Sequence, residues 1–156
     1  MTVQLTLKDV LEGAIKKEIE SQLLYSDLGG KVSEPAAKEA FAELVQQEHG
    51  HQEKLERYLR GELREGALSS GQAVDYKIAE KLDQPEVSPD MTMKDAFLLA
   101  AERERLSHEF YLGLAEIHPG GEVRRLLEEL AAQEMEHKQR VELLYTEVAF
   151  PQTDGG

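Results

Sequence analysis

Apolar residues recur along this chain at spacings of three and four, and the residues between them (Ala, Glu, Lys, Gln and Arg) favour helix. The pattern predicts a first helix from about Thr6 to Leu28, ended by Gly29-Gly30. A second follows Ser33 as its N-cap, with Pro35 in the first turn, and runs to about Arg60. A third opens at Thr92, where Thr92-x-x-Asp95 has the form of a capping box, and continues to about Ile117. Pro119-Gly120-Gly121 breaks the chain there, and a fourth helix reaches about Val148 before Pro151. Residues 61–91 are a long connection rich in Gly, Ser, Pro and Asp. Within it Val74, Ile78 and Leu82 stand at i+4, which predicts a short helix packed along the outside. The class is therefore all-α: a four-helix bundle of two antiparallel hairpins joined by a long crossover. One domain covers residues 1–150, and 151–156 form a frayed tail.

The chain also repeats itself. Shifted by 86 positions without a gap, Ala14, Glu18 and Tyr25 fall on Ala100, Glu104 and Tyr111. In the same register Glu43, Leu44, Gln47, Glu48 and His51 fall on Glu129, Leu130, Gln133, Glu134 and His137. The two hairpins read as copies of one unit, related by an approximate two-fold axis.

Four charged residues then sit on the wrong face. With Glu18 as reference, Leu7, Leu11, Ala14, Gln22 and Tyr25 lie within about 40° of it on a helix, and apart from Gln22 these are apolar. Such an apolar stripe faces the core. The same construction around Glu104 collects Met93, Phe97, Ala100, His108 and Tyr111. Around Glu48 it collects Phe41, Leu44, Leu55 and Leu59, with His51 on the flank. Around Glu134 it collects Leu127, Leu130, Val141 and Tyr145, with His137 in the matching position. Four carboxylates and two imidazoles thus point inward. His49 and His118 fall off the stripes and read as surface residues.

A buried carboxylate costs several kcal/mol unless something compensates it, and four near one point repel. The basic residue close to these stripes is Lys138, which is long enough to reach solvent. Two divalent cations would neutralise the four charges. Mixed carboxylate and imidazole donors suit iron or manganese, with zinc possible by affinity. An i,i+3 spacing places Glu and His on adjacent turns, where one metal takes both.

Charge and composition narrow the partners. Acidic residues number 31 against 18 basic, a formal charge of −13, which argues against nucleic acid and against anionic membrane surfaces. With no cysteine, thiolate metal sites, Fe–S clusters, disulfides and cysteine nucleophiles are excluded. Gln4, Lys8, Asp9 and Glu12 interrupt any secretory hydrophobic region, and no apolar run approaches the ~18 residues of a membrane span. The expectation is a soluble, cytoplasmic protein.

The arrangement resembles a ferritin-like di-iron carboxylate protein of the rubrerythrin type, and the likeness runs through all four helices. Such bundles present one Glu from each of two helices and Glu-x-x-His from each of the others. Here those are Glu18, Glu104, Glu48 with His51, and Glu134 with His137. The resemblance implies two iron ions, bridged by Glu48 and Glu134, with Glu18 and Glu104 terminal and one His on each iron. It implies reduction of peroxide or dioxygen, with electrons resupplied by an external donor protein. Tyr25 and Tyr111, seven residues after the terminal glutamates, are candidates for hydrogen bonds to a ligand carboxylate on a neighbouring helix. His108 is a candidate ligand or proton donor.

The sequence departs from the family in two places. It lacks the four-cysteine rubredoxin domain, and Ser107 stands where an additional Glu would follow the third-helix ligand, which bears on peroxidase strength. Six ligands without a seventh is also the bacterioferritin set, so ferroxidase chemistry with iron storage or delivery is the alternative. A metal-binding bundle without turnover is the third. Beside Glu48 stands His49 rather than a haem-binding methionine. Leu24, Leu28, Phe110 and Leu114 widen the apolar stripes to one side, and the expected assembly is a symmetric homodimer. The oxidant is expected to enter where charges are few, near Tyr25, Tyr111 and His108.

Overall fold

The structure, a computed structural model, describes residues 5–68 and 73–150; the expected tail at 151–156 lies outside them. Every regular element among the described residues is a helix: α1 Leu7–Lys31, α2 Pro35–Leu59, α3 Ile78–Lys81, α4 Met93–Glu116 and α5 Glu122–Ala149. α1 packs along α2 and α4 along α5, giving the two hairpins of a ferritin-like bundle. The α1 start is a full capping box between Thr6 and Asp9, and Thr92 caps α4 by accepting from the Asp95 amide.

Helix ends differ from the sequence reading in two instructive ways. α1 does not stop at Leu28 but runs through Gly29-Gly30 to Lys31. A Cβ on Gly29 would lie 3.2 Å from the Cβ of Phe41, so this glycine lets α2 approach closely. At α2 the N-cap is Glu34, not Ser33, and no side chain caps it. Pro35 at the first position needs no amide partner.

Two apolar layers sandwich one polar level. The first joins Tyr25, Leu28, Phe41, Phe97, Val141 and Tyr145, with Phe41 and Phe97 stacked at 5.2 Å between centroids. The second joins Leu11, Leu55, Tyr111, Leu126, Leu127 and Leu130. Along every long helix the inward glutamate falls between the two layers. Leu28 is fully buried in the first, so it is unavailable to a second chain, contrary to its expected place on a dimer face.

The crossover is held by charge as well as by apolar contact: Leu68, Ala79 and Met91 are buried, and Ile78 of the expected apolar line packs on the first layer. Among its described residues only Ile78–Lys81 is helical, and Val74 and Leu82 are exposed. Glu142 on α5 is fully buried and accepts from the backbone amides of Tyr76, Ile78 and Ala79. Lys138, one turn earlier, is also fully buried. Its Nζ donates to Asp75 at 2.6 Å and to Glu80 and Glu142 at 3.0 Å. It does not reach solvent as the sequence suggested, because the crossover folds over it and supplies the carboxylates. Burial opposes its charge, but these three partners outweigh that and raise its pKa.

Breaking one partner of a buried ion cluster leaves the others uncompensated. Glu142→Ala should destabilise the fold by about 3–5 kcal/mol in urea denaturation, whereas exposed Glu147→Ala on the same helix should change it by less than about 0.5.

Candidate metal centre

At the polar level Glu18, Glu48, Glu104 and Glu134 are all buried, one from each long helix. His137 is buried with them, and His51 is half-buried. Two groups of potential metal donors form, each with ligand atoms within 4.8 Å of one another: Glu48, His51 and His137, and Glu104, Glu134 and His137. His137 is common to both. Its ring stacks on that of His51, centroids 4.5 Å apart. Glu18 stands beside the first group, with Oε2 4.0 Å from His51 Nδ1.

Protons hold the charges together in the metal-free chain. Burial raises the Glu18 pKa well above the usual carboxylate range, and its hydrogen bond to Glu48 adds to this. Burial also pushes Glu48 up, but the His137 charge and that same hydrogen bond win, holding it down at about 2. Burial and the neighbouring Glu104 charge push Glu134 up. For His137 burial opposes protonation, yet Glu48 and Glu104 overcome it and raise its pKa. His51 goes the other way, to about 4, through burial and the adjacent His137 charge.

This arrangement leaves polar atoms stranded. Glu18 Oε2, Glu104 Oε2, His51 Nδ1 and His137 Nδ1 are buried without a hydrogen-bond partner. His137 Nδ1 lies 3.0 Å from Glu48 Oε1 and 3.6 Å from Glu104 Oε2, at angles that make no hydrogen bond. Orphaned buried polar atoms are costly, and bound cations would satisfy the carboxylate oxygens and the deprotonated ring nitrogens among them. Lys138 cannot, because its ammonium is committed to the crossover. The donor set therefore fits a pair of divalent ions held by carboxylate and imidazole.

The remaining sequence candidates surround this centre unequally. Tyr25, fully buried, donates its hydroxyl to Glu104 on α4, an arrangement that orients the carboxylate. Burial, then the Glu104 charge, raises its pKa. Tyr111 is buried with its hydroxyl unpartnered, and burial and Glu134 push its pKa up. His108 is half-buried, and its ring nitrogen Nδ1 lies 2.6 Å from the carbonyl of Ala131, one turn before Glu134. It joins neither donor group among the described residues. Ser107 and its repeat partner Ser21 are both buried three residues beyond the α4 and α1 glutamates. His49 is exposed and pairs with Glu53, as a surface residue should. His118, read as surface, is instead buried, its Nδ1 donating to the Leu114 carbonyl 2.6 Å away as it closes α4. Nothing in the helical periodicity marked it, because it lies in the turn after α4.

Fold and centre together define a ferritin-like helical bundle built round carboxylate and imidazole donors. The rubrerythrin family model matches residues 1–62, the hairpin that carries Glu18, Glu48 and His51. That match supports the ferritin-like di-iron family of rubrerythrin type, and the internal repeat carries the same pattern into the second hairpin. No curated protein and no solved structure matches the chain. Among the described residues no helix is long and apolar enough to cross a membrane.

The proton arrangement fixes the pH dependence of the metal-free protein. Above pH 6.5, the ordinary value for imidazole, His51 is neutral and Glu48 ionised whether folded or not. Glu18, Glu134 and His137, with folded pKa values raised, contribute stability at low pH that is lost as pH rises through those values. The melting temperature of the apo protein should therefore fall between about pH 6.5 and 8. Loading with Fe(II) or Zn(II) should remove that slope, since the metal binds the deprotonated donors. Apo melting curves independent of pH over this range would mean the carboxylates are solvated.

Proposed function

We propose that this protein is a di-iron oxidoreductase that reduces peroxide or dioxygen, with Glu18, Glu48, His51, Glu104, Glu134 and His137 holding the metals. The observation that carries the reading is the convergence of four buried carboxylates and two imidazoles, with stranded atoms and, among the described residues, no lysine or arginine ion-paired to them. The rubrerythrin match and the donor groups support a di-iron protein, and the substrate is the step beyond. When bound, a pair of reduced irons supplies two electrons to an O–O bond.

The chain's own residues supply the setting. Apolar layers above and below the centre close those two sides to bulk water. Tyr25 Oη holds Glu104 in one orientation. The Ala131 carbonyl accepts from His108 Nδ1, leaving Nε2 as the basic nitrogen that takes up or delivers a proton. Reduction between turnovers is assigned in this reading to an external donor protein. The active form is a homodimer, an assembly to which the exposed apolar side chains Leu23, Leu106 and Phe110 lend support.

Reconstitution under anaerobic conditions should load about two irons per chain, and Glu48→Ala or Glu134→Ala should lose most of both. Stopped-flow mixing of the reduced protein with peroxide and with dioxygen then ranks the oxidants. His108→Ala should retain its iron but consume peroxide at least tenfold more slowly, within the usual range for a lost proton carrier. Native mass should be twice that of the chain. Fast oxidation in a shell-sized particle would point to iron storage, and no oxidation at all would leave a binding bundle.

A further inference from the structure

The two halves of the centre differ in their access to solvent. The His51 side chain is 28% exposed, while those of His137, Glu48 and Glu104 are at most 8% exposed. A cavity of about 220 Å³ opens between α2 and α5, lined by Gln47, His51, Glu136, His137 and Arg140. It meets both imidazoles. By the internal repeat, Gln133 is the counterpart of Gln47, but Gln133 is buried and donates to the carbonyl of Leu68. The crossover thus covers the related position on α5 and leaves Gln47 beside open space. A second groove, between α1 and α4, ends on Tyr111; Lys16 and Lys17 line it together with Asp9 and Glu20, so their charges offset, and none of the six donors lines it.

We propose that metal ions load through the α2–α5 opening, binding first at Glu48, His51 and His137, and that His137 hands the first ion on to Glu104 and Glu134. The inference rests on the two-metal reading of the centre. His137 is the natural relay because it alone belongs to both donor groups, and its ring lies against that of His51 at the cavity. At the mouth, Glu136 draws the cation in and Arg140 opposes it. The half-site at His51 is the exchangeable one, and the half-site at Glu104 and Glu134 is filled and emptied through it.

The opposite signs of the two mouth residues make the test. Full-length apo protein is mixed with Co(II) in a stopped-flow instrument, and the loaded protein is later challenged with a chelator. Wild type should take up two ions and release them in two phases, one fast and one slow. Glu136→Gln should slow uptake and Arg140→Gln should quicken it, each by roughly fivefold, the effect of one unit charge on a divalent ion about 8 Å away in water. Both variants should still bind two ions, and added salt should shrink both differences. His51→Ala should lose the fast-released ion and keep the slow one. Two ions bound with uptake rates unchanged in both mouth variants, or changed in the same direction, would overturn the route and leave the centre standing. Release in a single phase would overturn the order of filling. Fewer than two ions in wild type would overturn the centre itself, and the route with it.

Discussion

Four carboxylates buried at one level of a bundle are the constraint on which the rest of this molecule depends. Their desolvation amounts to several kcal/mol each, set against a net stability that for domains of this size is only about 5–15 kcal/mol. The long helices make this tolerable by placing an apolar layer on either side, so the carboxylates are confined to a single level between the two layers. In the metal-free chain protons on Glu18, Glu134 and His137 stand in for cations. They reduce the charge but cannot satisfy every atom, because a proton serves one acceptor at a time. The stranded Glu18, Glu104, His51 and His137 atoms record that shortfall.

Residues 137 and 138 show two solutions to the same problem, one bond apart in sequence. His137 faces an acidic group with no built-in cation, and Lys138 is itself the cation of another. Asp75, Glu80 and Glu142 satisfy the three-carboxylate geometry of a metal site as well as the centre does, but the Lys138 ammonium lies within 3.0 Å of each. Such a cluster is complete without metal and acts as a fastening for the crossover. Geometry of acidic groups alone does not separate a metal centre from a structural ion cluster. What separates them is whether the chain supplies its own compensating charge.

Much of the fold and the gathering of the six candidate donors were legible in the sequence, for a physical reason. Long amphipathic helices have a fixed period, so Glu18, Glu48, Glu104 and Glu134 could be placed on core-facing stripes by spacing alone. The 86-residue repeat supplied the second constraint, since equivalent positions had to face the same axis. Where periodicity ends, so did legibility. The route of residues 61–91 is decided by partners far away in sequence, which is why Lys138 and Glu142 could not be matched to Asp75, Glu80 and the Tyr76–Ala79 amides. His118 was misplaced for the same reason: its burial depends on how a turn closes over a helix end. Gly29-Gly30 misled because a glycine pair serves equally to end a helix and to let a neighbouring one come close, and only the position of Phe41 decides between them.

Duplication explains why the centre is symmetric in its ligands, and connectivity explains why it is not symmetric in its surroundings. Two copies of a hairpin give paired glutamates and paired histidines about one axis. The crossover that joins them exists only once, and it must run from the end of α2 to the start of α4. In doing so it lies along α5, where Gln133, Gln139 and Glu142 bond to it in turn. In the first hairpin Gln47, the counterpart of Gln133, stays beside an open cavity. The His137 side chain is 8% exposed and that of its counterpart His51 28%, although the two histidines begin as the same residue of one repeat. A single unbranched chain cannot avoid this, because closing a two-fold bundle requires a connection that has no twin. The difference in exposure between the two imidazoles is thus a consequence of topology before any selection for function acts on it.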